Sequence, residues 1–237
     1  SRHSWAILAL LVRFIRQYWP DTRIVLRGDS HFCRPRMLNW CDRHHVDYIV
    51  GIAKNSRLLK EVDVPMMLVR KTQWQVGGKV AGTFRFQYQA HSWKYSRWVV
   101  ARLEEGELGS NPRFIISSRY DDGFKLYYEQ YCARGDMENR IKDQQLSLFA
   151  DRTSSTHWWA NQWRLILSGF AYTLFERLRT YLKHTPFARM SPSNLRLKLI
   201  KVGAVIIRNT RRIRVLMSDS YPYKTALSDL VRRLVPN

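Results

Sequence analysis

Hydrophobic residues in the first 54 positions follow a helical pattern and a strand pattern in turn. Ile7, Leu11 and Phe14 belong to an apolar set at helical spacing that Pro20 ends. Short apolar runs bounded by glycine or polar residues predict buried strands. The predicted elements are a helix over Ser4–Tyr18, a strand over Arg23–Leu26 before Gly28, a helix over Pro35–His44 and a strand over Tyr48–Ile52. This order predicts an α/β fold.

After Lys54 the pattern changes to alternation of apolar and polar residues. Thr83–Tyr88 and Ser96–Val100 alternate in this way, and Gly77-Gly78 precedes them as a turn signal. Period-two alternation is typical of antiparallel strands with one solvated face. The sequence therefore predicts a first core segment over residues 1–54 and a β-rich insertion over residues 55–110.

The second half of the chain is predicted to return to the sheet and then to become helical and basic. A strand over Arg113–Ser117 and a long helix over Lys125–Phe149 define a core segment at residues 111–150. Residues 151–237 form a C-terminal helical and basic region. Its predicted elements are a helix over His157–Leu182, strand-like runs over Ala204–Ile207 and Ile213–Met217, and a helix over Tyr223–Leu234.

The net charge of the chain indicates the class of molecule that it binds. The 237 residues include 40 Lys and Arg against 19 Asp and Glu, a formal net charge of +21. The basic residues run the whole length, whereas a membrane-surface protein would concentrate them on one amphipathic helix. No apolar run approaches the roughly 18 residues of a membrane span. The composition thus favours nucleic acid as the partner and excludes a membrane.

Cysteine usage bears on compartment and on zinc. Cys33, Cys41 and Cys132 make an odd number, which favours a reducing cytoplasm over a disulfide framework. Cys33 and Cys41 lie close in sequence to His44 and His45, but this spacing fits no familiar zinc pattern, and an ordinary amphipathic helix is the favoured interpretation.

The helix around Glu138 carries candidate chemistry. At about 100° per residue, one face collects the polar set Tyr131, Arg134, Glu138, Lys142 and Gln145. A separate stripe, predicted to pack on a sheet, collects Ala133, Met137, Ile141 and Leu148. A carboxylate flanked by two cations can bind a metal ion while the cations hold phosphate oxygens. The alternative is a solvated face with helical ion pairs.

Asp29 follows the first predicted strand directly, in Gly28-Asp29-Ser30. Functional groups gather at the carboxyl ends of strands in open α/β sheets. The alternative is an aspartate that caps a turn. Together with Glu138 and the basic chain, Asp29 is consistent with a phosphoryl-transfer site.

At these residues the chain resembles the DDE-type insertion-sequence transposases with a Tyr-Arg-Glu-Lys signature. The likeness rests on Arg27-Gly28-Asp29-Ser30-His31-Phe32, on Tyr131-x-x-Arg134-x-x-x-Glu138, on Trp158–Leu165 and on Leu199–Ala204. The resemblance implies an RNase H-like mixed sheet with an insertion between the second and third acids, which are Asp29 and Glu138. It also implies two Mg²⁺ or Mn²⁺ ions, with cleavage and joining of double-stranded DNA at transposon ends and into target DNA by a homodimer.

Further expectations follow from that resemblance. Arg27, His31, Tyr131 and Arg134 are expected to contact phosphate or DNA. The signature lysine falls at Gln145, so Lys142 is the candidate to replace it. The family's first aspartate has no counterpart, and we therefore expect the chain alone to be inactive and to be part of a longer protein. A bacterial, nucleoid-associated location is expected.

Two other functions stay open from the sequence. One is a DNA-binding remnant or regulator without chemistry, which needs the same charge. The other is a metal-dependent nuclease on the same fold. Trp158, Trp159 and Trp163 could stack on a flipped base, but their helical clustering favours core packing.

Overall fold

A computed structural model describes residues 3–234. The chain forms two compact units, divided between Gly135 and Asp136. The first unit contains a mixed sheet with helices, and the second is mostly helical. Each unit is described by itself below.

The first unit is organised around a five-stranded sheet. Strand β1 runs parallel to β2, and every other neighbouring pair is antiparallel. The strands are β1 (Val25–Gly28), β2 (Asp47–Ile52), β3 (Val80–Tyr88), β4 (Arg97–Glu105) and β5 (Arg113–Ser117), in the spatial order β1-β2-β5-β4-β3. The prediction of a mixed α/β fold is confirmed.

Both faces of this sheet are covered because successive side chains of a strand point to opposite sides. On one face, Val50 packs in a large core with the helices, which are α1 (Ser4–Tyr18), α2 (Pro35–Arg43), α3 (Ser56–Glu61) and α4 (Asp63–Val76). On the other face, Ile49 and Ile115 pack with Leu126 and Tyr127 of the helical segment Lys125–Tyr131. Burial on both sides explains why β2 reads as a continuous apolar run.

Successive helical segments occupy residues 125–147, where one long helix was predicted. A π-helical stretch, Lys125–Tyr131, is followed by a 3₁₀ turn, Cys132–Arg134. Helix α5 (Gly135–Lys142) and a second π-helical stretch, Asp143–Ser147, complete the run. The division between the two units falls within this run, after Gly135.

The second unit has its own core. Helix α6 (Trp158–Tyr181) leads to a 3₁₀ turn (Pro186–Arg189), α7 (Pro192–Leu195), a π-helical stretch (Arg196–Ile200), an antiparallel hairpin of β6 (Ala204–Arg208) and β7 (Ile213–Met217), and α8 (Lys224–Leu234). Leu182, Phe187, Leu195, Leu199 and Leu230 are buried together. The predicted C-terminal strands and helices are therefore confirmed to within a few residues.

Three sequence-based expectations differ from the structure. Met137 and Ile141, predicted to pack on a sheet, are 61% and 47% exposed. Both residues lie on α5 in the second unit, whereas the sheet belongs to the first unit. Trp158, Trp159 and Trp163, expected in a core, are each more than half exposed. Helices α3 and α4 were not predicted, and β3 and β4 extend the main sheet, so a separate insertion is not confirmed.

Candidate active site at the end of strand β1

Asp29 lies directly after the last residue of β1, at the carboxyl end of the parallel pair β1–β2. Its Oδ1 accepts a hydrogen bond of 2.9 Å from the backbone N–H of His31, and His31 Nδ1 lies 3.3 Å from the same oxygen. Asp29 thereby caps the short 3₁₀ turn Ser30–Phe32, as the capping alternative predicted. Its side chain is nevertheless 45% exposed, so the capping contact leaves the carboxylate open to solvent.

Gly51 allows Tyr131 to reach the backbone beside Asp29. A Cβ built on Gly51 would stand 2.7 Å from the Tyr131 hydroxyl, 3.1 Å from the Ser30 nitrogen and 3.4 Å from the carbonyl carbon of Asp29. A side chain at residue 51 would therefore displace the Tyr131 hydroxyl and crowd the Ser30 backbone nitrogen. The absence of a side chain at Gly51 therefore leaves room for the hydroxyl of Tyr131 next to the loop that presents Asp29.

Tyr131 lies in an environment that keeps its hydroxyl protonated. Burial raises the pKa of Tyr131, Arg134 opposes this, and the negative charge of Asp29 raises the pKa further. The Arg134 guanidinium lies 5.6 Å from the centre of the Tyr131 ring. Tyr131 is thus a hydrogen-bond donor at neutral pH.

Arg27 fastens β1 to the helical segment that carries Tyr131. Its Nη1 donates a hydrogen bond of 2.9 Å to the carbonyl oxygen of Gln130. The structure therefore brings five of the predicted site residues to one corner of the first unit, namely Arg27, Asp29, His31, Tyr131 and Arg134.

Glu138 and Lys142 lie on α5, in the second unit. Both side chains are exposed. Lys142 also lines a pocket of about 540 Å³. Acidic and basic side chains both line this pocket, including Asp136, Arg140, Asp143 and Arg189. The roles of Glu138 and Lys142 therefore stay predictions from the sequence.

A comparison with known families gives the context for this corner. The family described as transposase DDE domain group 1 matches residues 1–237. The chain belongs to this DDE transposase family. A search among curated proteins found no match. Enzymes of the family in general cleave and transfer DNA and use divalent metals.

The residues of the transposase domain fit a divalent metal in part. The carboxylate of Asp29 is a hard oxygen ligand of the kind that Mg²⁺ and Mn²⁺ prefer. Within residues 3–234, however, no three His, Cys, Asp or Glu side chains lie together as a group that could hold a metal ion. Asp29 is suited to be one ligand of such an ion. No helix within the same residues is long and apolar enough to cross a bilayer.

Gly51 is the site residue that sequence reasoning missed in the transposase domain. It was interpreted only as part of the apolar run Tyr48–Ile52. The available signal was the glycine itself, because an isolated glycine inside a strand often marks a close approach of another group.

Substituting Gly51 tests this contact. Gly51→Ala is expected to lower the free energy of unfolding by about 1–3 kcal/mol, the usual cost of overpacking. In a Tyr131→Phe background most of that cost should disappear, because the hydroxyl that meets the new Cβ is gone. Urea unfolding of the two single variants and the double variant measures the coupling.

Gly82→Ala provides the matched control, because a Cβ at this strand glycine would meet nothing within 4 Å. Its effect should be small and independent of residue 131. Equal costs of Gly51→Ala with and without the Tyr131 hydroxyl would contradict the contact with the hydroxyl and assign the cost to the Ser30 backbone.

Proposed function

We propose that this chain supplies the second and third carboxylates, Asp29 and Glu138, of a transposase that cleaves and joins DNA at insertion-sequence ends. The observation that carries the proposal is the corner at the end of β1, where Tyr131 of the signature, with Arg134 near its ring, lies near the loop that presents Asp29. Two features that are far apart in sequence meet there. Family membership supports the same function.

The proposed chemistry is an in-line displacement at phosphorus. Two Mg²⁺ or Mn²⁺ ions, when bound, stabilise the attacking and leaving oxygens. Asp29 and Glu138 each provide a carboxylate for one ion. Tyr131 keeps its proton and donates a hydrogen bond to a phosphate oxygen, while Arg134, Arg27 and His31 hold the negatively charged backbone.

Lys142 is proposed to provide the phosphate contact that the signature assigns to a lysine. It lies on α5 one helical turn after Glu138, whereas the signature position itself holds Gln145. The side chain of Lys142 is exposed and therefore accessible to a phosphate group.

The proposed fold is RNase H-like, with residues 55–110 as an insertion between the two acids. Support comes from the parallel pair β1–β2, which carries an acid at its carboxyl end. Residues 1–54 and 111–150 are the proposed core segments, and residues 151–237 are the C-terminal helical and basic region. Double-stranded DNA is the proposed substrate, bound as transposon ends and as target, and a homodimer is the assembly that brings two ends together.

The chain of residues 1–237 is proposed to be inactive by itself. Mg²⁺ requires near-octahedral oxygen coordination, and two carboxylates leave a pair of ions underbound. The family's first aspartate lies on a strand, whereas Asp21, which precedes Asp29 in the sequence, lies between α1 and β1.

An end-joining assay tests the proposed function. The chain is incubated with a terminal-repeat duplex in EDTA, Mg²⁺ or Mn²⁺, and both DNA binding and joined products are measured. We expect Mn²⁺ to strengthen binding of the duplex without any joined product. Robust strand transfer would contradict the proposed inactivity, and a binding affinity unaffected by either metal would contradict the proposed site.

A DNA-binding regulator without chemistry is the second candidate. It is favoured by one observation, the capping hydrogen bond of Asp29, which gives this carboxylate a structural role. A metal-dependent nuclease would differ from both in cleaving duplexes without sequence preference and without joining them.

A further inference from the structure

The hairpin of the second unit exposes an unusual amount of apolar surface. The arginine hairpin, defined as residues 204–217, consists of β6, a four-residue turn and β7. Every residue from 203 to 220 is exposed. Val205, Ile206, Ile213 and Val215 are each more than half exposed. An isolated two-stranded hairpin is marginally stable in water, and exposed apolar surface of this kind marks interaction sites.

Both faces of the arm combine aliphatic and basic groups. The register pairs Ile206 with Val215 and Arg208 with Ile213, which places these four residues on one face. The other face carries Val205, Ile207, Arg214 and Leu216. The arm therefore offers the same chemistry, aliphatic side chains with guanidinium groups, to surfaces on both sides.

The tip of the arm is shaped to project two further arginines. The Asn209 side chain accepts hydrogen bonds from the backbone N–H groups of Arg211 and Arg212, at 3.0 and 2.7 Å. The Asn209 N–H donates to the Arg212 carbonyl at 3.0 Å. These bonds fix the turn and leave both guanidinium groups outside it.

The positive charge of the arginine hairpin indicates the class of partner that would bind it. The arm carries four arginines and no acidic residue, and residues 177–218 together contain eleven Lys and Arg and no Asp or Glu. Two such arms would repel each other, so a second copy of this chain is a poor occupant. A polyanion with apolar surface between its charges is complementary to the arm.

We propose that the arginine hairpin is a DNA-binding arm that lies in a groove of the duplex. A two-stranded ribbon fits the major groove, and ribbon arms with aliphatic tips also occur in the minor groove. The arginines contact phosphates and base edges, and the aliphatic residues pack on sugars and on thymine methyl groups. The inference rests on the proposed function, because it assigns to a named arm part of the binding to transposon-end DNA.

A four-site variant tests the arm through the salt dependence of DNA binding. Arg208, Arg211, Arg212 and Arg214 are replaced by Gln, and fluorescence anisotropy measures binding of a terminal-repeat duplex in EDTA at several salt concentrations. The slope of log K against log salt is negative, and each lost phosphate contact reduces its magnitude by about 0.9. We expect that magnitude to decrease by about 2–4 and the affinity at low salt to be at least about 10-fold lower.

The matched control removes the same charge elsewhere. Arg43, Lys60, Lys71 and Lys94 are exposed residues of the first unit, and replacing them by Gln should change the slope by less than 1. Equal decreases in the two variants would overturn the proposal, because net charge alone would then explain the loss. Circular dichroism and thermal unfolding check that both variants fold.

Further arms of the experiment separate the competing outcomes. A loss of self-association in the hairpin variant, with unchanged DNA affinity, would assign the arm to a second copy and overturn the proposal. Stronger binding of the wild type to phosphatidylserine vesicles than to the duplex would overturn it in favour of a membrane surface. If the hairpin variant keeps both its DNA affinity and the effect of Mn²⁺ on binding, the DNA-binding role of the arm is refuted and the proposed function is not. If the wild type binds no duplex, the proposed function is refuted.

Discussion

Replacing Asp29 with asparagine is expected to lower the affinity of the chain for Mn²⁺ by at least about 10-fold. The substitution removes the negative charge that a divalent cation requires of a ligand. It keeps Oδ1, which still accepts the hydrogen bond from the His31 N–H. Asparagine caps turns as well as aspartate does, so the free energy of unfolding should change by less than about 0.5 kcal/mol.

Titration of Mn²⁺ followed by electron paramagnetic resonance measures this affinity, in the presence of the terminal-repeat duplex. Asp21→Asn is the control, since Asp21 is exposed and precedes β1 in the sequence. An affinity that is the same in wild type and Asp29→Asn would show that Asp29 has only its capping role. A decrease in both variants would indicate a diffuse charge effect.

Arg97→Met is expected to have the largest effect on stability, a loss of about 3 kcal/mol of unfolding free energy. The Arg97 side chain is 4% exposed and lies 2.7 Å from Asp42 Oδ2. It also donates to Asn39 at 2.9 Å and to the hydroxyl of Tyr48, which is itself buried. Methionine fills much of the volume but leaves the carboxylate and the hydroxyl without their donor.

Arg23→Met is the matched control for this loss. Arg23 also lies 2.7 Å from an aspartate, Asp47, but its side chain is 67% exposed. Exposed pairs contribute at most about 1 kcal/mol. Urea denaturation of both variants compares the two pairs directly, and similar losses would mean that burial does not govern the contribution of Arg97.

The sequence predicts best the strands that consist of one short apolar run, because hydrophobicity is the dominant signal there. β1, β2 and β5 are short apolar runs with clear boundaries, and each was predicted within two residues. Asp29 was placed correctly after β1 for the same reason, since the end of an apolar run is easy to read.

The missed helices show what weakens that signal. Within residues 56–76 the longest apolar run, Val64–Val69, contains Pro65, and this combination hides the helical period. In the structure Pro65 is in the first turn of α4, where proline is tolerated. Asn55 caps α3 by accepting from the Leu58 N–H at 2.9 Å. A capping asparagine was the local signal that could have identified α3.

The candidate site was predictable in its residue types but not in its contacts. The signature identified Tyr131 and Arg134, and the strand end identified Asp29. The face of the helix around Glu138 was predicted with ideal α-helical geometry, which the π-helical stretches do not follow. The close approach of the Tyr131 hydroxyl to β2 depends on Gly51, and such tertiary contacts cannot be read from periodicity.

Affinity cleavage by iron tests the central claim, that Asp29 and Glu138 hold the same metal pair. Fe²⁺ replaces Mg²⁺ in the complex with the terminal-repeat duplex, and ascorbate and peroxide generate hydroxyl radicals that cut the backbone beside the bound ion. We predict cuts near residue 29 and near residue 138, both suppressed by excess Mg²⁺ and both lost in Asp29→Asn. Cuts at one of these positions without the other would contradict it.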